Sequence, residues 1–432
     1  MAARRPAATL RPQQNDLDGM LMKIAEIAYF NPKAGAQIGK LPFINYIDTA
    51  AVVDGVLEGV QELQKDYPSR AQRELRNGDI LISSVRPNLK HNYFVDIAYD
   101  NMVGSTGFIQ IRPNNPDIVD AKFLYYFLTA PFNVARYVKI ADTSQSAYPS
   151  FNKDVIEEMD LPGVDITKQR KIGSLLSTID RKIALNRKRI ATLEAMAKEI
   201  YDYWFVQFDF PDAHGRPYKS SGGAMVYNPD LKREIPKGWE VRPLGDIAEV
   251  VNGATPSTAN PRNYDGDVVW ITPKDLSDQR SKFTYGGNRT ISREGYDSCS
   301  THMLPRGSIL MSSRAPIGLL SIAAVDLCTN QGFKSFVPKE IDDNLYLYYY
   351  LKEHMAQVEA MGSGTTFKEV SRESMISFPI PYVSDRKVYA SFVAIAKPIF
   401  NQQELLGTEL ARLSALRDFL LPVLMNGQVK VG

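Results

Sequence analysis

From Lys171 to Phe208, apolar residues recur at alternating steps of four and three. Ile172, Leu176, Ile179, Ile183, Ile190, Leu193, Ala197, Ile200 and Trp204 share one rank, and Asn186 is its polar member. This is a heptad seam, the face a helix turns toward another helix. No proline interrupts it and Gly173 lies near its start, so the spacing predicts one helix of roughly 33 residues, about 50 Å long at ~1.5 Å per residue. Near the C-terminus, Val388, Phe392, Ile395, Ile399, Gln402, Leu406, Glu409, Leu413, Leu416 and Leu420 repeat the spacing. Gln402 takes the rank of Asn186, and both stand near mid-helix, so the two amides are expected to meet and fix the register of an antiparallel coiled coil. The alternative is that either stripe is the buried face of a bundle helix. Pro398 predicts a kink, or a helix start beyond it.

The chain also repeats itself. LMKIAEI at 21–27 matches LGDIAEV at 244–250, and FINYID at 43–48 matches WITPKD at 270–275. NGDILISSVRP at 77–87 matches RGSILMSSRAP at 306–316, and GSTGF at 104–108 matches TNQGF at 329–333. KFLYYFL at 122–128 resembles LYLYYYL at 345–351. A polar loop, an apolar segment ending in Pro, and QRK or DRK at the head of a long helix follow in each half. Such periodicity marks a duplicated structural unit. The order is globe, helix, globe, helix: a pseudo-twofold internal repeat of two α/β or α+β globes. Short apolar runs after Gly read as buried strands, and the aromatic runs as buried helices. The expected divisions are an arm at 1–20, a first globe at 21–165, a helix at 166–208, a Pro- and Gly-rich connector at 209–238, a second globe at 239–383, a helix at 384–427 and a tail at 428–432.

A chain of 432 residues holds two or three domains. The net charge of +2 argues neither for nor against nucleic acid. Its distribution says more: Lys168, Arg170, Lys171, Arg181, Lys182, Arg187, Lys188 and Arg189 make a basic stretch whose one acid is Asp180. That is a phosphate-facing stripe or a solvated helix face. Two cysteines, Cys299 and Cys328, and four scattered histidines argue against a disulfide scaffold or a metal site. No apolar run is long enough to span a membrane, and the basic N-terminus lacks the apolar core of a secretory signal. These features lead us to expect a cytoplasmic protein.

Catalytic motifs are missing. GSGTT at 362–366 has no lysine where a phosphate loop needs one, and no GxGxxG, GxSxG or HExxH occurs. The globes offer paired polar loops with nearby bases instead. Ser83, Ser84 and Arg86 follow one expected strand, and Ser312, Ser313 and Arg314 follow its counterpart. Ser144, Gln145 and Ser146 precede the last apolar segment of the first globe, as Thr365 and Thr366 do in the second. Lys90, Lys274, Gln331 and Lys368 complete the candidate DNA contacts. Such side chains donate and accept at base edges and phosphates; the plainer reading is ordinary turn chemistry. The frame matches between halves while the loops differ, as expected of two readers on one scaffold.

This order, and above all the stretch IDRKIALNRKRIATLEAMAKEIYDYWFVQFDFP, resembles the specificity subunit of type I restriction-modification systems. GSILMSSRAPIG and TNQGF look like its target-recognition domains. The likeness covers about residues 21–427. It departs at Pro398, and at Val85-Arg86 opposite Arg314-Ala315, so the arginine does not carry across by rank. The resemblance implies two tandem target-recognition domains, each reading half of a split double-stranded DNA site, with the helix pair as spacer. A ~50 Å rod exceeds one ~34 Å turn of duplex. It implies two methyltransferase subunits and translocase-nuclease subunits as partners, with S-adenosylmethionine, ATP and Mg in those partners and no cofactor or catalysis in this chain. Tyr201, Tyr203, Trp204 and Phe205, at the end of the first helix, would meet a methyltransferase helix or cap the globe's own core. The competing expectations are a stand-alone enzyme acting on DNA and a protein adaptor that does not read DNA.

Overall fold

The computed structural model describes residues 21–425, apart from 36, 54, 144–148, 280, 341 and 365–367. The expected arm at 1–20 and tail at 428–432 lie outside the described residues. The chain forms two compact units: Met1–Leu185 with Leu410–Gly432, and Asn186–Glu409.

In the first unit, an antiparallel sheet runs in the order Ala28–Phe30, Phe108–Pro113, Ile80–Ser83, Asn92–Phe94. Every residue of Ile80–Ser83 is buried, as the apolar run after Gly78 predicts. A second sheet, Gln61–Leu63, Ile44–Ile47, Met102–Ser105, Ala71–Glu74, contains one parallel pairing. The helix Ala121–Thr129 begins where the Asp120 carboxylate accepts the Phe123 amide at 2.9 Å, an N-cap that satisfies one otherwise unpaired helical N–H. Its Phe123, Leu124, Phe127 and Leu128 join the core with Ile172, Leu176, Leu421, Leu424 and Met425.

The second unit repeats this frame. Its main sheet runs Ala248–Asn252, Lys334–Pro338, Ile309–Ser313, Ile317–Ala323, Phe283–Thr284. The helix Asp343–Glu353 buries every residue from Leu345 to Leu351, because its far face is covered by Tyr201, Trp204, Phe205 and Phe392. The three aromatics at the end of the first long helix therefore cap the globe's core, while Tyr203 is 37% exposed. Mixed but mainly antiparallel pairing places both globes with the α+β expectation.

The stretch expected as a connector is folded. Met225–Asn228 pairs antiparallel with Arg233–Pro236, and Phe210 stacks between Tyr218 at 4.8 Å and Trp239 at 5.5 Å. Phe210 and Ile235 belong to the second unit's core. Pro and Gly density signalled turns here, but the aromatic spacing that closes them is visible only in three dimensions.

The long helices are Ile166–Tyr201, followed by a π-helical turn at Asp202–Val206, and Arg386–Met425. The second helix runs through Pro398, which rules out a start beyond it. Pro398 and Ala394, whose carbonyl loses its partner there, are both exposed, so that carbonyl is open to solvent and the proline is tolerated. The first helix buries Ile172, Leu176, Ile179, Ile183, Asn186, Ala197 and Trp204, as its spacing predicts. The second does not follow its expected seam: Ile395 and Leu416 are 46% and 45% exposed, and Gln402 is exposed. The buried rank is Phe392, Ala396, Phe400, Gln403 and Leu406. Asn186 accordingly meets Glu409, its Nδ2 donating to Oε2 at 2.8 Å, and not Gln402. The expected amide pair is replaced by an amide–carboxylate pair: Ile395, Ile399 and Gln402 give up the buried rank to Ala396, Phe400 and Gln403, and Asn186 pairs with another member of the expected seam, Glu409.

Candidate nucleic-acid interface

The strand Ile80–Ser83 ends at Ser84, whose backbone holds two other segments. Its N–H donates to the Gly107 carbonyl at 3.1 Å, and its carbonyl accepts the Phe151 amide at 3.0 Å. Ser313 does the same in the second unit. Its N–H donates to Gly332 at 2.8 Å and its carbonyl accepts from Val370 at 3.1 Å. In each unit the strand-end loop, the Gly-containing turn and the base of the polar loop thus converge. A fourth segment closes on the same place. A Cβ on Gly107 would lie 2.9 Å from Thr49, and one on Gly332 would lie 2.9 Å from Pro273, so only glycine permits the approach at either turn.

The candidate side chains divide into those that build this junction and those that stand outside it. Ser83 is buried, its Oγ donating to the Val85 carbonyl at 2.9 Å, and Ser84 Oγ donates to Gly107 at 3.1 Å. Ser312 Oγ donates to the Pro316 carbonyl at 2.7 Å, and Ser313 Oγ approaches Glu369 at 3.4 Å. These serines are loop architecture, which is the turn-residue reading. Arg86 and Lys90 both hold left-handed backbone, φ 48° and 52°, uncommon for residues with a Cβ. Lys90 lines a cavity of ≈ 210 Å³ with Tyr126, Asp180 and Arg417. Lys274, directly after Pro273, is exposed, as are Gln331 and Lys368. Gln331 Oε1 accepts a hydrogen bond from Thr255. Ser144, Gln145, Ser146, Thr365 and Thr366 lie outside the described residues.

Two residues absent from the sequence-based set belong to the second junction. Glu369 accepts from the buried Lys334 Nζ at 3.0 Å and lies 3.7 Å from Arg314. Arg314, 37% exposed, is thereby aimed by a carboxylate from the polar loop. Glu369 sits in the FKEV run at the end of that loop, but nothing in its spacing announces two cationic partners, Arg314 just past one strand and Lys334 on another.

A second kind of polar cluster joins each aromatic helix to the long helices. In the first unit Tyr126 Oη donates to Asp180 at 2.7 Å, and Arg417 reaches the other Asp180 oxygen at 3.3 Å. Burial, then Asp180, raises the Tyr126 phenol far above its ordinary range. In the second unit Lys282 Nζ donates to Glu194, Tyr349 and Gln403, each at 2.9 Å. Lys352, Tyr349 and Gln403 also donate to Glu194, at 2.9, 2.9 and 3.0 Å. Burial resists ionisation of Glu194, but the Lys282 charge and these donors outweigh it and hold its carboxyl at about 2. Burial pushes the Lys282 ammonium down to about 8 against the pull of Glu194.

Among the described residues, no group of three or more His, Cys, Asp or Glu is placed to hold a metal ion. No helix among the described residues is long and apolar enough to cross a membrane. What the fold presents is one frame, built twice, with unlike loops gathered at the same junction: the layout of a duplicated recognition protein.

The family described as the type I restriction modification DNA specificity domain matches the chain twice, over residues 21–195 and 236–412. The chain belongs to this family, whose members are the non-catalytic DNA-recognition components acting with the modification and restriction subunits of the type I system. It is 28% identical to the specificity subunit of the type I restriction enzyme HindI of Haemophilus influenzae over 421 residues, covering 84% of this chain and 89% of that one. Over 153 residues, 35% of each chain, it is 40% identical to the MjaIX specificity subunit of Methanocaldococcus jannaschii. The solved type I S subunit from M. genitalium shares the fold, with a TM-score of 0.59 at 14% identity over 96% of this chain and 98% of that one.

Proposed function

We propose that each globe reads one half of a split double-stranded DNA site. The two long helices pair as an antiparallel coiled coil that sets the gap between the halves and docks two methyltransferase subunits. Restriction subunits complete the assembly in the cytoplasm, and S-adenosylmethionine, ATP and Mg act in those partners. The observation that carries this reading is the repeated junction: the same two backbone hydrogen bonds at Ser84 and Ser313 hold loops of different sequence. A shared frame with unlike loops suits two readers of different bases. Arg86, Arg314, Lys274 and Lys368 are the proposed phosphate and base-edge contacts, and binding weakens steeply with salt as those phosphate contacts release counterions.

The test is a single-molecule methylome of a restriction-free host expressing this chain with its methyltransferase subunit. Controls are the methyltransferase alone and a chain with residues 21–165 exchanged for those of another family member. The expected result is a split adenine-methylated motif that needs this chain, with one half altered by the exchange. A continuous motif untouched by the exchange, or methylation without the chain, rejects the reading.

A further inference from the structure

The polar cluster around Lys282 has a chemistry that ordinary core packing does not need. A lysine ammonium has three N–H donors, and all three are used, toward Glu194 on the first long helix, Gln403 on the second and Tyr349 of the globe. The same ammonium lies 3.5 Å from the Phe400 ring centroid, with Tyr348 and Tyr349 beside it. Its side chain is 9% exposed. Apolar burial is non-directional, whereas hydrogen bonds to a buried charge are directional. A shift of the globe along or around its helices costs the buried ammonium its hydrogen-bond partners and counter-charge.

The cluster's positions are not accidental to this half. Asn186 and its partner Glu409 are 223 residues apart. The same interval relates Tyr126 to Tyr349, Asp180 to Gln403, and Glu194 to Arg417. These are the residues that anchor the aromatic helix of each unit to its long helices. Both halves therefore place a hydroxyl of equal rank against a carboxylate of the first long helix, although the two carboxylates belong to different equivalent pairs.

We infer that Lys282, Glu194, Gln403 and Tyr349 form a joint that seats the second globe at one position on its helices, and that this joint determines how strictly the gap between half-sites is read. The inference rests on the half-site reading above. Lys282 and Glu194 are positioning residues: they act through the placement of the strand-end loop 312–316. Their loss loosens the seat and leaves the base-reading loops intact, so half-site identity persists while gap discrimination falls.

The experiment is the methylome assay with the full chain and its methyltransferase subunit, comparing the parental chain with Lys282→Met and Tyr349→Phe. Lys282→Met keeps the aliphatic length and removes the charge; Tyr349→Phe removes one hydroxyl and serves if the first variant fails to assemble. The expected result is unchanged bases in both halves. Methylation at sites whose gap differs by one base pair should rise about tenfold for Lys282→Met, the scale of losing one charged hydrogen bond, and less for Tyr349→Phe. A gapped motif read as strictly by both variants as by the parental chain overturns this inference alone. A uniform fall at all sites with the gap unchanged does the same, since it marks a merely structural role. A continuous motif from the parental chain overturns the half-site reading and this inference with it.

Discussion

The two units solve one problem with unequal means. Each must join its aromatic helix to the long helices, and each uses a tyrosine of the same rank. In the first unit Tyr126 meets Asp180, which is 33% exposed and beside a cavity of ≈ 210 Å³, with Arg417 as counter-ion. In the second, Tyr349 meets Glu194 within a closed network that also uses Lys282, Lys352 and Gln403. The difference teaches that an equivalent position carries different stakes depending on what is buried with it. Removing Asp180 leaves Arg417, which is 26% exposed and can rehydrate, whereas removing Glu194 leaves the Lys282 ammonium, 9% exposed, without its counter-charge and held only by Tyr349 and Gln403.

The largest expected contrast follows directly. Glu194→Ala should destabilise the second unit by about 3–5 kcal/mol, the cost of abandoning a buried charge. Asp180→Ala should cost the first about 1–2 kcal/mol through the unpaired Tyr126 hydroxyl. All three tryptophans, Trp204, Trp239 and Trp270, lie in the second unit, so urea unfolding followed by tryptophan fluorescence reports that unit, and hydrogen exchange by mass spectrometry reports the first. Equal losses would erase the contrast. Next in size is a pair on one helix: Gln403→Ala should cost about 1–2 kcal/mol because Lys282 and Glu194 each lose a partner, while Gln402→Ala should stay within about 0.5 kcal/mol. The reverse order would restore the seam expected from the apolar pattern. The hydroxyl deletions come third, with Tyr349→Phe and Tyr126→Phe each near ~1 kcal/mol, distinguishable by the same two readouts.

The smallest effect is on pH. Glu194 is held at about 2 against an ordinary 4.5, so its contribution is complete above pH 4.5 and is lost as pH falls toward 2. Lys282 leans on Glu194 for its charge, so the reference is the double variant Glu194→Gln, Lys282→Met, in which neither position titrates; the stability advantage of the parental chain over it should be constant from pH 7 to about 5 and shrink below that. Melting curves of both proteins across that range check it, and an advantage that grows on acidification contradicts the assigned charge state.

How much of this was legible in the sequence depends on the residue. The first long helix could be read position by position, because its buried rank is apolar throughout except at Asn186. The second misled because Ala396 and Gln403 are buried while Ile395 and Leu416 are not, and hydropathy alone ranks them the other way. The repeat and its frame were legible from strands such as Ile80–Ser83 and Ile309–Ser313, whose local pattern decides their burial. The junctions were only half legible. Ser84 and Ser313 were found as polar side chains, yet their backbones do the joining. Glu369, Lys334 and Lys282 were missed, since a partner 35 or more residues away leaves no mark on local spacing.

The first unit is built from both ends of the chain: Ile172 and Leu176 share its core with Leu421, Leu424 and Met425, while Asn186–Glu409 forms the other unit entirely in between. Translation therefore completes the units in reverse. Nascent chains usually fold N-terminal domain first, but here the core around Ile172 and Leu176 lacks Leu421, Leu424 and Met425 until everything through Glu409 has been made. A ribosome that stalls or terminates inside the last helix leaves a finished second unit tethered to an unfinished first one. Quality control would meet this protein as a half-closed product, and its newest residues decide whether its oldest ones are kept.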